Sequence, residues 1–193
     1  MNISSPSFGK KIPIISAKIQ DNETGKFESA TVYKVDCADD SDVQDMMSLS
    51  DSWRFRNLIA KDMARKNHLI KYFQQDDEKS IYVLEDNQNR VLGIGEMEEV
   101  DDDVFNVNYL ESSRDKKYVG QVLLASMGEE VLIKQGEKLT VSDPVDEAYS
   151  FYTDVCGFED YYGYFLRMNP SQINQFIEQT EERTQSMFID LRG

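Results

Sequence analysis

The sequence predicts a mixed α/β domain with a mostly antiparallel central sheet flanked by helices. Three observations predict it. Between residues 81 and 110, three short apolar runs are separated only by polar turns. Stretches on either side, 52–75 and 118–135, place apolar residues at helical spacing. A polar loop then carries the last run directly into a helix start near Gly120.

Residues 1–27, rich in Ser, Lys and Gly with an apolar stretch from Ile12 to Ile19, read as an N-terminal arm or an extra edge strand. Thr31, Val32, Tyr33 and Val35 favour extended backbone, so a strand is expected at 30–35. Asp39, Asp40 and Ser41 offer capping groups for a short helix over about 42–49. Phe55, Ile59, Met63, Ile70 and Phe73 then mark a long helix within 52–75. His68, the only histidine, falls in it beside no nucleophile or ligand motif and reads as an ordinary helical residue.

Strands are expected at 81–84, 91–100 and 104–110, joined at Asp86-Asn87-Gln88-Asn89 and Asp101-Asp102-Asp103. The helix over about 118–135 presents Leu123, Leu124, Met127, Val131 and Leu132, and Gly136 is its expected stop. A strand at 138–141, a short helix at 147–155 and an aromatic strand at 158–168 follow. Asn169-Pro170 opens a last helix running to about Thr184. The chain thus divides into an arm or extra strand (1–27), one domain (28–168), and a C-terminal helix and tail (169–193).

The bulk numbers narrow the function. The 193 residues carry 36 acidic and 21 basic side chains, a formal charge of −15. Nucleic-acid affinity comes chiefly from Lys and Arg on phosphates, so no nucleic-acid partner is expected, whereas a cationic substrate would be drawn in. Solubility alone accounts equally well for the acidity. Cys37 and Cys156 match no ligand spacing, so no metal site or disulfide framework is expected. Met1 to Lys11 has no apolar signal core, and the apolar run after it is too short to span a bilayer. The expectation is a cytoplasmic protein without a membrane partner, its oligomeric state open, a homodimer included.

The chemistry concentrates between Asn106 and Gly120. A strand end, the loop Glu111-Ser112-Ser113-Arg114-Asp115-Lys116-Lys117 and a helix start aim unpaired backbone N–H groups and a positive dipole end at one point, a geometry suited to pyrophosphate. An ordinary strand-to-helix connection explains the loop alone. Downstream lies Glu147-Ala148-Tyr149-Ser150-Phe151-Tyr152-Thr153-Asp154-Val155-Cys156-Gly157-Phe158. This run, with Lys117-Tyr118-Val119-Gly120-Gln121-Val122, resembles the GNAT family of acetyl-CoA-dependent N-acetyltransferases. That family carries an Arg/Gln-x-x-Gly-x-Gly/Ala signature and a late helix with alanine, an aromatic-tyrosine pair, then Gly-Phe. The likeness extends over residues 30–168. Lys117 stands where the family has Arg or Gln. Val122 replaces the second small residue, and its branched side chain is expected to narrow the pyrophosphate site.

The resemblance implies a GNAT-like fold and an acetyl group passing from acetyl-CoA to a primary amine by direct attack in a ternary complex. Tyr109, Leu110 and Glu111 would pair with the pantetheine arm. Lys116, Lys117, Tyr118, Val119, Gly120, Gln121 and Val122 would cradle the pyrophosphate. Tyr152 is the candidate general acid for the departing thiolate, with Tyr149 as fallback and a plain core aromatic as the competing reading. Glu96, with Glu98 on the same strand face, and Glu111 are candidate bases, and solvated surface carboxylates are the competing reading. The alternative function is a non-catalytic acyl-CoA-binding or protein-interaction module on the same fold, for which the apolar 187–191 tail is a candidate contact.

Overall fold

The computed structural model describes residues 10–36, 79–113 and 115–188. The helices expected at 42–49 and 52–75, together with Cys37, His68 and Arg114, lie outside the described residues.

The chain begins with a hairpin of β1 (Lys10–Asp21) and β2 (Phe27–Asp36). Of the arm and the extra strand, the described residues form the strand. Next comes the meander β3 (Lys79–Asp86), β4 (Val91–Asp101) and β5 (Val104–Ser112), then the two-residue β6 (Lys116–Lys117). Helix α1 (Val119–Ile133) leads to β7 (Lys138–Ser142). Helix α2 (Asp146–Ser150) continues as a π-helical stretch, Phe151–Cys156. A small hairpin, β8 (Glu159–Asp160) and β9 (Phe165–Met168), precedes α3 (Pro170–Thr184) and β10 (Met187–Phe188).

All these strands join one sheet in the order β10-β1-β2-β3-β4-β5-β7-β9-β8, with β6 also on β1. Among the described residues every pairing is antiparallel except β5 with β7. That parallel seam covers only Val104↔Lys138, Phe105↔Leu139 and Asn106↔Thr140. A parallel join needs a crossover, and α1 supplies it.

Helix α1 is buried on most sides, because the sheet lies under it and α3 packs against its other flank. Leu123, Leu124, Met127 and Val131 meet Tyr82, Leu84, Met97 and Phe105 in the core. Close approach to β4 depends on Gly93, where a Cβ would come within 2.5 Å of Val119 Cγ1 and 2.8 Å of Leu123 Cδ1. A half-buried carboxylate ties the helix down. Glu130 accepts from Lys34 Nζ at 2.8 and 2.9 Å, Tyr82 Oη at 2.5 Å and Ser80 Oγ at 3.1 Å. Burial works to raise its carboxyl, but Lys34, Tyr82 and Lys134 outweigh it and hold the group below its ordinary value.

Three expectations need correction. Gly136 is not the left-handed stop of α1, since Gln135 takes that conformation at φ 61°. Gln135 N–H then donates to Leu132 O and Gly136 N–H to Val131 O, a Schellman closure. Gly136 is needed for space instead, as a Cβ there would meet the Phe105 ring at 2.5 Å. The aromatic run 158–168 is two strands, because Tyr162 and Gly163, at φ 70° and 78°, turn the chain between them. The helix expected over 147–155 changes to π-helical pitch at Phe151.

Candidate active site

Beyond Asn106 the strands β5 and β7 part, and β5 runs on to Ser112 with β4 as its ladder partner. Its register against β4 shifts at Asn108, since Glu96 opposes Tyr109 while Met97 opposes Val107. Such a bulge increases local twist and bends the strand. After β5 the chain passes through β6, which the hairpin β1–β2 holds: Gln20 pairs with Lys117, Asp21 with Lys116, and Asn22 N–H donates to Asp115 O.

Tyr118 then adopts φ 72°, a left-handed conformation costing an L-residue roughly 1–2 kcal/mol. It opens α1 without a side-chain cap, and the first helical bond runs from Val122 N–H to Tyr118 O. The N–H groups of Val119, Gly120 and Gln121 therefore sit at the positive end of a 15-residue helix.

These residues line a cleft of about 540 Å³. Leu110, Glu111 and Ser112 form its strand wall, residues 116–121 its floor, and Val145, Ala148, Phe151, Tyr152 and Val155 the facing wall. Eight of the ten expected cofactor residues line it: Leu110, Glu111, Lys116, Lys117, Tyr118, Val119, Gly120 and Gln121. Tyr109 and Val122 do not. Val122 is fully buried in the core, so its branched side chain does not narrow the cleft. Lys116 presents backbone here, because its ammonium ion-pairs with Asp21 at 2.9 Å and Glu28 at 2.7 Å. Burial works to lower that ammonium's pKa, and the two carboxylates raise it above its ordinary value.

The comparisons with solved structures settle the fold. A Desulfovibrio desulfuricans protein assigned to the GNAT acetyltransferase family superposes with TM-score 0.53 at 11% identity, covering 73% of this chain and 99% of that one. The chain has the GNAT fold. A variant spermidine N-acetyltransferase from Vibrio cholerae aligns with TM-score 0.51 and 13% identity over 75% of this chain and 96% of its own. An Exiguobacterium protein assigned as an acetyltransferase reaches 0.50 and 16% over 76% and 97%. No protein-family model and no curated protein matches the sequence.

Within this GNAT fold the candidate acid Tyr152 and the candidate base Glu111 fall on opposite walls of the cleft. Tyr152 is 6% exposed in the π-helical stretch, its ring edge-on to Phe151 and Phe158 at 5.3 and 5.5 Å. Burial, with Cys156 beside it, pushes its phenol far above the ordinary value, so it carries a proton throughout the neutral range. The fallback Tyr149 is drawn toward Asp160, which raises its pKa, and it does not line the cleft. Glu111 lines the cleft and accepts from the Tyr109 hydroxyl.

Glu96 is fully buried outside the cleft lining. Asn108 Nδ2 donates to Glu96 Oε1 at 3.1 Å and to Glu98 Oε2 at 2.5 Å. Because Gly95 faces α1, the register puts Glu96, Tyr109 and Glu111 together on the other face of the sheet. Tyr109 stands between the two candidate bases.

Sequence reasoning did not single out Asn108 or Phe27. Asn108 lies in a period-two run and its bulge leaves no mark there. Phe27 sits in the predicted arm, far in sequence from the loop it reaches. Phe151 was seen only as part of the aromatic-tyrosine pair, yet it closes on Gly120, where a Cβ would lie 3.2 Å from its ring.

Proposed function

We propose that the protein is an N-acetyltransferase that moves an acetyl group from acetyl-CoA to a primary amine by direct attack in a ternary complex. The observation that carries this reading is the start of α1, without a side-chain cap, in a cleft beside the length of β5 that has parted from β7. The residues fit the cosubstrate. Backbone N–H groups of 119–121 offer donors for a pyrophosphate, the outer edge of β5 at Leu110 and Glu111 offers strand backbone for the pantetheine amides, and the volume is that of a small-molecule site.

Acetyl-CoA bound there would supply an activated thioester. The chain's own residues then position and move protons. Tyr152 holds a proton on a buried phenol and can give it to a departing thiolate. Glu111 can accept the proton of the attacking amine, with Tyr109 orienting its carboxylate and Glu96 behind it. The net charge of −15 favours a cationic acceptor, and the fold likeness to a spermidine N-acetyltransferase makes polyamines the first amines to screen.

Isothermal calorimetry with acetyl-CoA and free CoA tests the reading. Micromolar binding of both, followed by CoA release with an amine, is the expected outcome. No heat with either ligand overturns it.

A further inference from the structure

The tip of the β1–β2 hairpin brings a second aromatic ring to the phosphate-binding loop. Phe27 and Tyr118 lie nearly parallel, with centroids 6.4 Å apart and planes at 8°. Phe27 is 51% exposed, an apolar ring held in water rather than in the core. Tyr118 lines the cleft, and its backbone is left-handed where its ring lies beside Phe27.

The mounting is rigid. Phe27, Gln20 and Lys117 form one cross-strand row over β2, β1 and β6, so their side chains share a face. The rows on either side are tied together by the ion pairs of Lys116 with Asp21, its cross-strand neighbour, and with Glu28. A planar π surface, a lysine in the same row and the N–H groups of the α1 start beyond it together match a nucleotide: a flat base joined to phosphates.

We infer that Phe27 and Tyr118 form the platform on which the purine base of the coenzyme stacks, an inference that rests on the acyl-CoA reading above. Stacking needs only the base's π face, so it contributes affinity without hydrogen-bond recognition. It acts on the nucleotide end of the ligand alone and leaves the thioester end untouched.

The test is calorimetry of wild type, Phe27→Ala and Phe27→Trp with two ligands: CoA, and 4′-phosphopantetheine, which lacks the nucleotide. Phe27→Ala is expected to weaken CoA about tenfold and to leave 4′-phosphopantetheine unchanged. Phe27→Trp is expected to restore CoA affinity. Equal weakening of both ligands, or no weakening of CoA, overturns the platform while the acyl-CoA reading stands. A wild-type protein that binds neither ligand overturns the acyl-CoA reading itself, and the platform with it. Thermal melting of the variants checks that this exposed position has not disturbed the fold.

Discussion

At the scale of single residues, Tyr152 is set apart by where its hydroxyl is rather than by what it is. Its ring packs between Phe151 and Phe158, and burial keeps the phenol protonated. Removing only the oxygen, in Tyr152→Phe, should lower kcat by about a hundredfold while acetyl-CoA affinity stays as in wild type. The sign of the shift also fixes a pH dependence. A raised pKa preserves the acid form to higher pH, so wild-type kcat should show no alkaline fall below about pH 10. Steady-state kinetics of both proteins across pH, paired with calorimetry, checks this. An equal loss of affinity and rate would mark Tyr152 as packing alone.

At the scale of elements, α1 lies close to β4 because Gly93 has no side chain. Gly93→Ala should force Val119 and Leu123 aside and cost about 1–3 kcal/mol. Denaturant melts would read this as a lower midpoint with an unchanged slope. Elements with local causes were legible in the sequence. The last helix starts where Asn169 and Gln172 cap each other reciprocally, and the meander turns where its polar clusters stand. Features set by distant partners were not legible. The resemblance places Lys116 at the pyrophosphate, but Asp21 and Glu28, 95 and 88 positions earlier, take its ammonium. The β8–β9 turn was hidden because Tyr161, Tyr162 and Tyr164 are strand-forming residues, and only backbone conformation at Tyr162 and Gly163 breaks the run. Much of the cleft was legible because its cause is local: a strand end, a polar loop and a helix start in sequence order. The side-chain directions of Val122 and Glu96 depend on packing and were not.

At the scale of the whole molecule, the charge of −15 acts on encounter rather than on fold. For a polyamine acceptor, raising salt from about 0.02 to about 0.5 M should lower kcat/KM by about tenfold, with a smaller fall for a singly charged amine. Equal salt sensitivity for both would detach the acidity from substrate capture. The three-residue seam between β5 and β7 has a consequence of another kind. The rim of β5 beyond Asn106 is, in aggregation terms, an open edge strand, a template that a foreign chain could extend. Its shortness, the twist from the bulge at Asn108 and the carboxylate of Glu111 all make such pairing harder. A ligand lying along that rim would close it, so a liganded state would also be the state best guarded against self-association.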